Sequence, residues 1–237
     1  MPSNKVSAIV PVYNEEDGVV AVLGTLASSP LLDEIIVDDD GSTDGSLKKA
    51  EEFKSKASKR VSIVSHPKNR GKADALLTGA KAARNSILFF CDADLTNFTT
   101  GHIKELIEPF LKSEADLVTG VQEYLAFWEN FSWYPKRLKK GKKSEFMSAL
   151  GGEKVIAKSD FLALEERIKS SGYGLEQVIH SEFRRKGKRV KLVALKGVGH
   201  EWKVTKWGWE GVWRETKALF TFAKQYIRYF LNPKGWN

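Results

Sequence analysis

Short apolar runs alternate with amphipathic stretches along the first 122 residues of the chain. Runs of β-branched and other apolar residues are typical of buried strands, and apolar positions three and four apart are typical of helices. Alternation of this kind predicts an α/β fold with a mostly parallel central sheet flanked by helices. The predicted strands are Val6–Val12, Glu34–Val37, Val61–Ser65, Ile87–Cys91 and Leu117–Val121, and the predicted helices are Glu16–Ser28, Leu47–Phe53, Lys72–Ala83 and His102–Lys112.

Beyond Gln122 the alternation becomes irregular. Residues 123–144 mix aromatic and lysine side chains without a clear period, which predicts a long loop or insertion. No internal repeat and no linker follow, so we predict one domain over residues 1–237, divided into 1–122, 123–208 and a C-terminal amphipathic helix with its tail at 209–237. The later predicted elements are strands at Val155–Ala157 and Val190–Leu195 and helices at Phe161–Ile168, Leu175–Arg185 and Trp209–Leu231.

Polar clusters follow the first four predicted strands at the points where those strands end. They read YNEE, DDDGSTD, HPKNRGK and DAD in chain order. Ligands of parallel α/β sheets bind beyond the carboxyl ends of the strands. The sequence therefore predicts one ligand site built from these four loops.

Two carboxylates stand two residues apart directly after the apolar run ILFFC, at Asp92 and Asp94. Both can reach one hard divalent cation, and such a cation can bridge the phosphates of a nucleotide. The alternative is that Asp simply favours the turn after a strand. A metal role is the interpretation that the surrounding pattern favours.

A second acidic run, Asp38-Asp39-Asp40, ends the second predicted strand. Adjacent carboxylates repel one another, so they are costly unless they are exposed or have partners. Asp39 is our candidate for binding a base or ribose. At the end of the first strand, Tyr13 offers a ring for stacking and Glu15 a carboxylate, although acids there are also typical of a helix start.

The segments PVYNEE, VDDDGSTDGS, NRGKADALLTGA, ILFFCDAD and GYGLE, in this order, resemble the family 2 glycosyltransferases, which have the GT-A fold. The resemblance covers about residues 6–200. It implies an inverting enzyme that moves one sugar from a UDP- or GDP-sugar to an acceptor. It also implies that the cation, Mn²⁺ or Mg²⁺, is bound by Asp92 and catalytic Asp94, that Lys72 lies near the donor, and that the base and ribose pocket is lined by Pro11, Tyr13, Glu15 and Asp39.

Further candidate residues lie in the second half of the chain. An inverting transfer to a hydroxyl needs a general base, and Glu176 in GYGLE is our candidate. An acid is also common in the first turn of a helix, and a phosphate acceptor would need no base. By resemblance to some members of the fold, His200 is a further metal ligand, with Lys203 and Lys206 on the diphosphate.

The net charge of +8 is concentrated in the aromatic-rich second half, which holds all seven Trp. Residues 130–144 contain six cations and no acid, and residues 202–237 contain seven cations against two acids, whereas the rest is slightly acidic. Basic aromatic segments are typical of surfaces that meet lipid headgroups or anionic acceptors. The alternative for the C-terminal helix is that its apolar stripe packs on the catalytic domain while its charges face solvent. No recognition motif supports nucleic-acid binding.

Several classes of protein are excluded or disfavoured. A single cysteine, Cys91, excludes a disulfide framework, and no apolar run reaches the length of a membrane-spanning helix. We therefore expect a cytoplasmic enzyme, with peripheral contact to the inner membrane face and a polyprenyl phosphate acceptor as the favoured option. A soluble transferase for glycans or small molecules, a sugar-nucleotide nucleotidyltransferase and a non-catalytic sugar-nucleotide-binding protein stay open as alternatives.

Overall fold

The computed structural model describes residues 5–122, 151–170 and 174–200 of the chain. Its strands are β1 Val6–Val12, β2 Glu34–Asp39, β3 Arg60–Ser65, β4 Ile87–Phe90, β5 Leu95–Thr96, β6 Leu117–Gln122, β7 Lys154–Ala157, β8 Val190–Leu195 and β9 Gly199–His200. Its helices are α1 Val19–Ser28, α2 Ser46–Lys56, α3 Lys72–Ala82, α4 Thr100–Leu111, α5 Lys158–Leu162, α6 Glu165–Lys169 and α7 Leu175–Arg185.

Seven strands form the central sheet in the order β3-β2-β1-β4-β7-β6-β8. All neighbouring pairs are parallel except those of β7, which runs antiparallel to both β4 and β6. The prediction of a mostly parallel α/β sheet is thus confirmed. A separate two-stranded sheet joins β5 to β9, and the sequence pattern did not reveal either of these short strands.

The apolar strands pack helices on both faces of the sheet, as continuous apolar runs require. Along β1, Ala8 and Val10 face a cluster that includes buried residues of α1 and α4, whereas Ile9 faces a cluster that includes α3, α5 and α7. Each of these strand side chains is fully buried. The two clusters fix the sheet between helical layers and leave its carboxyl edge to carry polar groups.

The predicted helices that the structure describes differ from it at one or both ends, except Leu175–Arg185, and one of them is divided in two. The first begins at Val19 rather than Glu16, because residues 16–18 form a turn and the Glu16 carboxylate accepts a hydrogen bond from the backbone N–H of Gly45. The stretch predicted as one helix, Phe161–Ile168, is divided between α5 and α6, with the break at residues 163–164. The loop predicted at 123–144 and the helix predicted at Trp209–Leu231 lie outside the described residues.

Within residues 5–122, 151–170 and 174–200, no helix has both the length and the apolar character needed to cross a bilayer.

Candidate active site

The Asp92-Ala93-Asp94 segment connects β4 to the short strand β5, at the carboxyl edge of the sheet. Strand β9 pairs with β5 and places His200 opposite Leu95. As a result, Nδ1 of His200 lies 2.9 Å from Oδ1 of Asp94, although 106 positions separate the two residues. The structure therefore brings together two of the residues that we predicted as metal ligands.

Lys72 links Asp92 to the candidate base. It is the first residue of α3, and its Nζ lies 2.8 Å from Oδ1 of Asp92 and 3.3 Å from Oε1 of Glu176. Glu176 lies in the first turn of α7. Burial by itself would lower the pKa of Lys72, but the carboxylates of Asp92 and Glu176 raise it well above its ordinary value. Lys72 is therefore held as a cation between the two acids.

The loop before α3 is fixed by Asp40. Its Oδ1 accepts a hydrogen bond from the backbone N–H of Arg70 at 2.8 Å, and its Oδ2 accepts one from Gly71 at 2.7 Å. Nδ1 of His66 lies 2.9 Å from Oδ1 of the same carboxylate. This network, which sequence reasoning assigned to no role, sets the position from which Lys72 reaches the site.

Asp38 has a different environment from its neighbour Asp40. It is completely buried, and neither of its carboxylate oxygens has a hydrogen-bond partner among the described residues. Nε2 of His66 lies 3.6 Å from its Oδ1. Burial raises the pKa of Asp38 to about 7, against the opposing attraction of His66.

Glu153 is a site residue that sequence analysis missed. It directly precedes β7 and is 1% exposed. Atoms of Asp92, Glu153 and His200 lie within 4.8 Å of one another and form a possible metal-binding group. The signal available was an acid just before the predicted strand Val155–Ala157, but only the antiparallel direction of that strand, which no sequence pattern revealed, takes this acid to the site.

The electrostatics of this group are those of crowded, buried charges. Burial and the nearby charge of Asp92 raise the pKa of Glu153 to about 7. Burial opposes protonation of His200, but the hydrogen bond with Asp94 and the charges of Asp94, Asp92 and Glu153 raise its pKa to about 9. Negative charge thus predominates here, and a proton or another cation is needed to balance it.

The donor set suits a divalent cation. Nδ1 of His200 lies 2.9 Å from Oδ1 of Asp94, and ligand atoms of Asp92, Glu153 and His200 all lie within 4.8 Å of one another, so one cation could contact this group. Carboxylate oxygens suit Mn²⁺ and Mg²⁺.

The residues predicted for the base and ribose pocket lie at the ends of β1 and β2, next to β4. In the parallel register, Pro11 lies opposite Asp38 and Val12 opposite Asp39. Pro11, Tyr13 and Glu15 are half-buried, and Asp39 is buried with Oδ2 accepting a hydrogen bond from Ser65 at 3.0 Å. They share the sheet edge with the acids, and their nucleotide-binding roles stay predictions.

The loops that carry these pocket residues are joined by hydrogen bonds. The backbone N–H of Asn14 donates to Oγ of Ser42 at 3.0 Å, and the backbone N–H of Thr43 donates to Oδ1 of Asn14 at 2.8 Å. Gly41 has a positive φ of 73°, and a Cβ there would come within 2.6 Å of the Lys68 backbone. Glycine thus lets the three loops of β1, β2 and β3 pack closely.

Some predicted site residues lie outside the described residues. They are Lys203 and Lys206, the candidate diphosphate contacts, and the Gly172-Tyr173 part of the GYGLE segment.

The sequence profile described as Glycosyl transferase family 2 matches residues 7–167, which is more than half of the chain. The chain belongs to glycosyl transferase family 2. The resemblance drawn from the sequence is thereby confirmed, and this protein is a glycosyltransferase.

This glycosyltransferase matches its curated relatives over different shares of their length. An uncharacterized protein of Methanocaldococcus jannaschii is 27% identical over 94% of this chain and 97% of its own length. Dolichol-phosphate mannosyltransferase of Pyrococcus furiosus is 33% identical over 58% of this chain but only 39% of its own length. Dodecaprenyl-phosphate galacturonate synthase of Rhizobium johnstonii is 31% identical over 50% of this chain and 36% of its own length.

Among solved structures, glucosyl-3-phosphoglycerate synthase from Mycobacterium tuberculosis, in complex with Mn²⁺, UDP and glucosyl-3-phosphoglycerate, gives a TM-score of 0.63. The match has 24% sequence identity and covers 83% of this chain and 72% of that chain. Identity this low shows the fold alone. The glycosyltransferase has the GT-A fold.

Proposed function

We propose that this glycosyltransferase moves one sugar from a UDP- or GDP-sugar to an acceptor with the help of a divalent cation. The observation that carries the proposal is the grouping of Asp92, Asp94, His200, Lys72 and Glu176 at one place on the carboxyl edge of the sheet. Side chains from the β4–β5 connection, α3, α7 and β9 converge there, and a purely structural role for the acids would not require this convergence.

Asp92, Asp94 and His200 are the residues that would hold Mn²⁺ or Mg²⁺. A bound cation would supply positive charge against the nucleoside diphosphate as it leaves the sugar. Lys72 adds a fixed ammonium beside Asp92, and the N-terminus of α3, where Lys72 lies, also favours an anion. The base and ribose would lie against Tyr13, Glu15, Pro11 and Asp39 at the ends of β1 and β2.

Glu176 would take the proton from an acceptor hydroxyl as its oxygen attacks the anomeric carbon, which gives inversion at that carbon. Lys72, 3.3 Å from Oε1 of Glu176, orients the carboxylate toward the site. With a phosphate acceptor no proton has to be removed. In that case Glu176 would position the acceptor or the sugar through hydrogen bonds.

The acceptor that we favour is a polyprenyl phosphate presented at the cytoplasmic face of the membrane. The names of the Pyrococcus and Rhizobium relatives point to dolichol phosphate and dodecaprenyl phosphate as acceptors of those proteins. The cations of residues 130–144 and 202–237 would approach such an acceptor or the lipid surface. In this arrangement residues 1–122 bind the donor and residues 123–208 bind the acceptor within one domain.

Hydrolysis of a panel of UDP- and GDP-sugars, with and without Mn²⁺, tests the donor and the cation together. We expect one donor to be hydrolysed in a Mn²⁺-dependent way with release of a nucleoside diphosphate, and Asp94→Ala to abolish this while the protein stays folded. Release of pyrophosphate would instead indicate a nucleotidyltransferase. Full activity of Asp94→Ala would refute the metal assignment.

The acceptor is tested separately with the donor identified in that panel. Vesicles containing polyprenyl phosphate are compared with vesicles that lack it and with soluble glycans. We expect sugar to appear on the vesicle lipid only when polyprenyl phosphate is present. Transfer to soluble glycans alone would exclude the membrane acceptor and keep the glycosyltransferase.

A further inference from the structure

We propose that Glu153, the residue directly before β7, is an additional protein ligand of the divalent cation. The inference rests on the proposed function, because it concerns the cation that Asp92 and His200 would hold. The grouping of Asp92, Glu153 and His200 within 4.8 Å is its starting observation.

The direction of β7 accounts for the position of Glu153. Because β7 is antiparallel to β4, it begins at the edge where β4 ends, and Lys154 lies opposite Phe90. The backbone N–H of Gly120 donates to the carbonyl oxygen of Glu153 at 2.9 Å and fixes the residue between β4 and β6. Glu153 is therefore set by backbone pairing in the sheet and not by a loop.

One oxygen of the buried Glu153 carboxylate lacks a partner. Among the described residues, its Oε1 has no hydrogen-bond partner, and no ion pair includes this side chain. Burying an ionised carboxylate is strongly unfavourable unless it is paired or bound to a metal. The position therefore suits a bound cation, since no described side chain forms an ion pair with Glu153.

The basic groups nearest to Glu153 are directed elsewhere. Lys72 contacts Asp92 and Glu176, His200 contacts Asp94, and the ammonium of Lys154 donates to the carbonyl oxygen of Gly151. A bound divalent ion would balance Asp92 and Glu153 together.

Gly152 is what allows the two carboxylates to come so close. A Cβ at this position would lie 2.3 Å from Oδ2 of Asp92, so any larger residue would collide with the Asp92 carboxylate. The Gly-Glu pair directly before β7 therefore shapes one wall of the cation site. With three carboxylates and one imidazole, this site should bind Mn²⁺ more tightly than Mg²⁺, which prefers an all-oxygen shell.

The experiment measures Mn²⁺ binding directly, through the loss of the free-Mn²⁺ electron paramagnetic resonance signal on titration of full-length protein. Glu153→Gln keeps the shape and removes the charge, and Glu105→Gln on the exposed face of α4 is the matched control. We expect Glu153→Gln to bind Mn²⁺ about 10- to 100-fold more weakly. The control should bind as the original protein does.

Thermal unfolding supplies a second readout on the same proteins. Mn²⁺ should raise the melting temperature of the original protein and of Glu105→Gln, and this increase should be much smaller for Glu153→Gln. Without Mn²⁺, Glu153→Gln should melt at or above the temperature of the original protein, because the substitution removes an unpaired buried charge. Should the Gln variant fail to fold, Glu153→Asp keeps the charge and withdraws the oxygens by one methylene, and it should also bind Mn²⁺ more weakly.

A folded Glu153→Gln or Glu153→Asp protein with the original Mn²⁺ affinity would overturn the inference and leave the proposed function in place. This includes the outcome in which only the Michaelis constant for the donor sugar changes, since Glu153 would then contact the sugar. If the original protein itself binds no Mn²⁺, this result would contradict the divalent cation that the proposed function requires.

Discussion

Lys72 and Asp92 form an ion pair through both carboxylate oxygens, with Nζ 2.8 Å from Oδ1 and 3.0 Å from Oδ2. The same ammonium reaches Glu176 on α7. One cation therefore holds two acids from different elements in a fixed relation.

Replacing Lys72 by Met should lower turnover about 100-fold or more, because the site loses a fixed positive group and two nearby acids lose their shared partner. The measurement is donor hydrolysis in the presence of Mn²⁺. Lys81→Met on the same helix is the control, since Lys81 forms an exposed ion pair with Glu165 and should change neither turnover nor stability by much. Equal turnover of the Lys72→Met and Lys81→Met proteins would contradict a role for Lys72 in the reaction.

Glu176→Gln separates the two roles proposed for this acid. If the acceptor is a hydroxyl, turnover should fall about 100- to 10,000-fold with little change in the Michaelis constant of the donor, because the general base is lost. With a phosphate acceptor, the fall should be small and the acceptor constant should rise instead. A Glu176→Gln variant with the turnover and the acceptor Michaelis constant of the original protein would exclude both roles.

Asp40→Asn should destabilise the protein by about 2–4 kcal/mol. The carboxylate accepts from two backbone N–H groups and contacts His66, and an amide has only one oxygen with which to replace these contacts. Urea unfolding measures the loss. A change below about 0.5 kcal/mol would show that this network does not fix the loop before Lys72.

Asp38→Asn should stabilise the protein, and the size of this stabilisation should depend on pH. The pKa of Asp38 is about 7 in the folded protein and 3.8 in the unfolded chain, so the folded state binds the extra proton between these values. The contribution of Asp38 to the stability of the folded protein therefore falls as pH rises from about 4 to 7. It is smallest above pH 7. The stability of Asp38→Asn relative to the original protein should rise over that window by at most about 1.4 kcal/mol per pH unit.

Urea unfolding of both proteins at pH 5 and pH 8 measures this difference. Asp39, His66, Asp40 and Arg70 are the charged groups that act on Asp38, and they are the same in both proteins. A stability difference that does not change between the two pH values would contradict the raised pKa.

Two glycines near and within α1 make a matched pair. A Cβ at Gly18 would lie 2.7 Å from the carbonyl oxygen of Ala93, a backbone atom of the DAD segment, whereas a Cβ at Gly24 meets no described residue within 4 Å. Gly24→Ala should stabilise the helix by about 0.5–1 kcal/mol. Gly18→Ala should destabilise the protein and reduce Mn²⁺-dependent activity, and a stabilised, fully active Gly18→Ala protein would contradict the close packing.

Much of the fold follows from the sequence because its strands and helices have distinct periods. The bounds of β1, α7 and β8 are those predicted, and the polar clusters do lie at one sheet edge. The structure places Asp92 beside Lys72 and Asp94 beside His200, and the roles of these residues stay predictions. Local patterns were sufficient here because each of these residues ends or begins a well-defined element.

Long-range pairing explains what the sequence did not reveal. Strands β5 and β9 have two residues each, too short for any period, and only their pairing across the chain places His200. Glu153 was missed because nothing local distinguishes a parallel strand from an antiparallel one. His66 and Asp40 were missed as a pair because their contact depends on the register between β2 and β3.

The position of β7 in the sheet also determines when β6 can join the other strands during synthesis of the chain. Strand β6 has no pairing with β4 and joins the first four strands only through β7, which follows it in the chain. Strands β1 to β4 can pair as they emerge, but β6 must wait until residues 154–157 have been made. The step that joins β6 to the first four strands therefore also brings Glu153 to Asp92, and β8 and β9, which follow in the chain, are added after it.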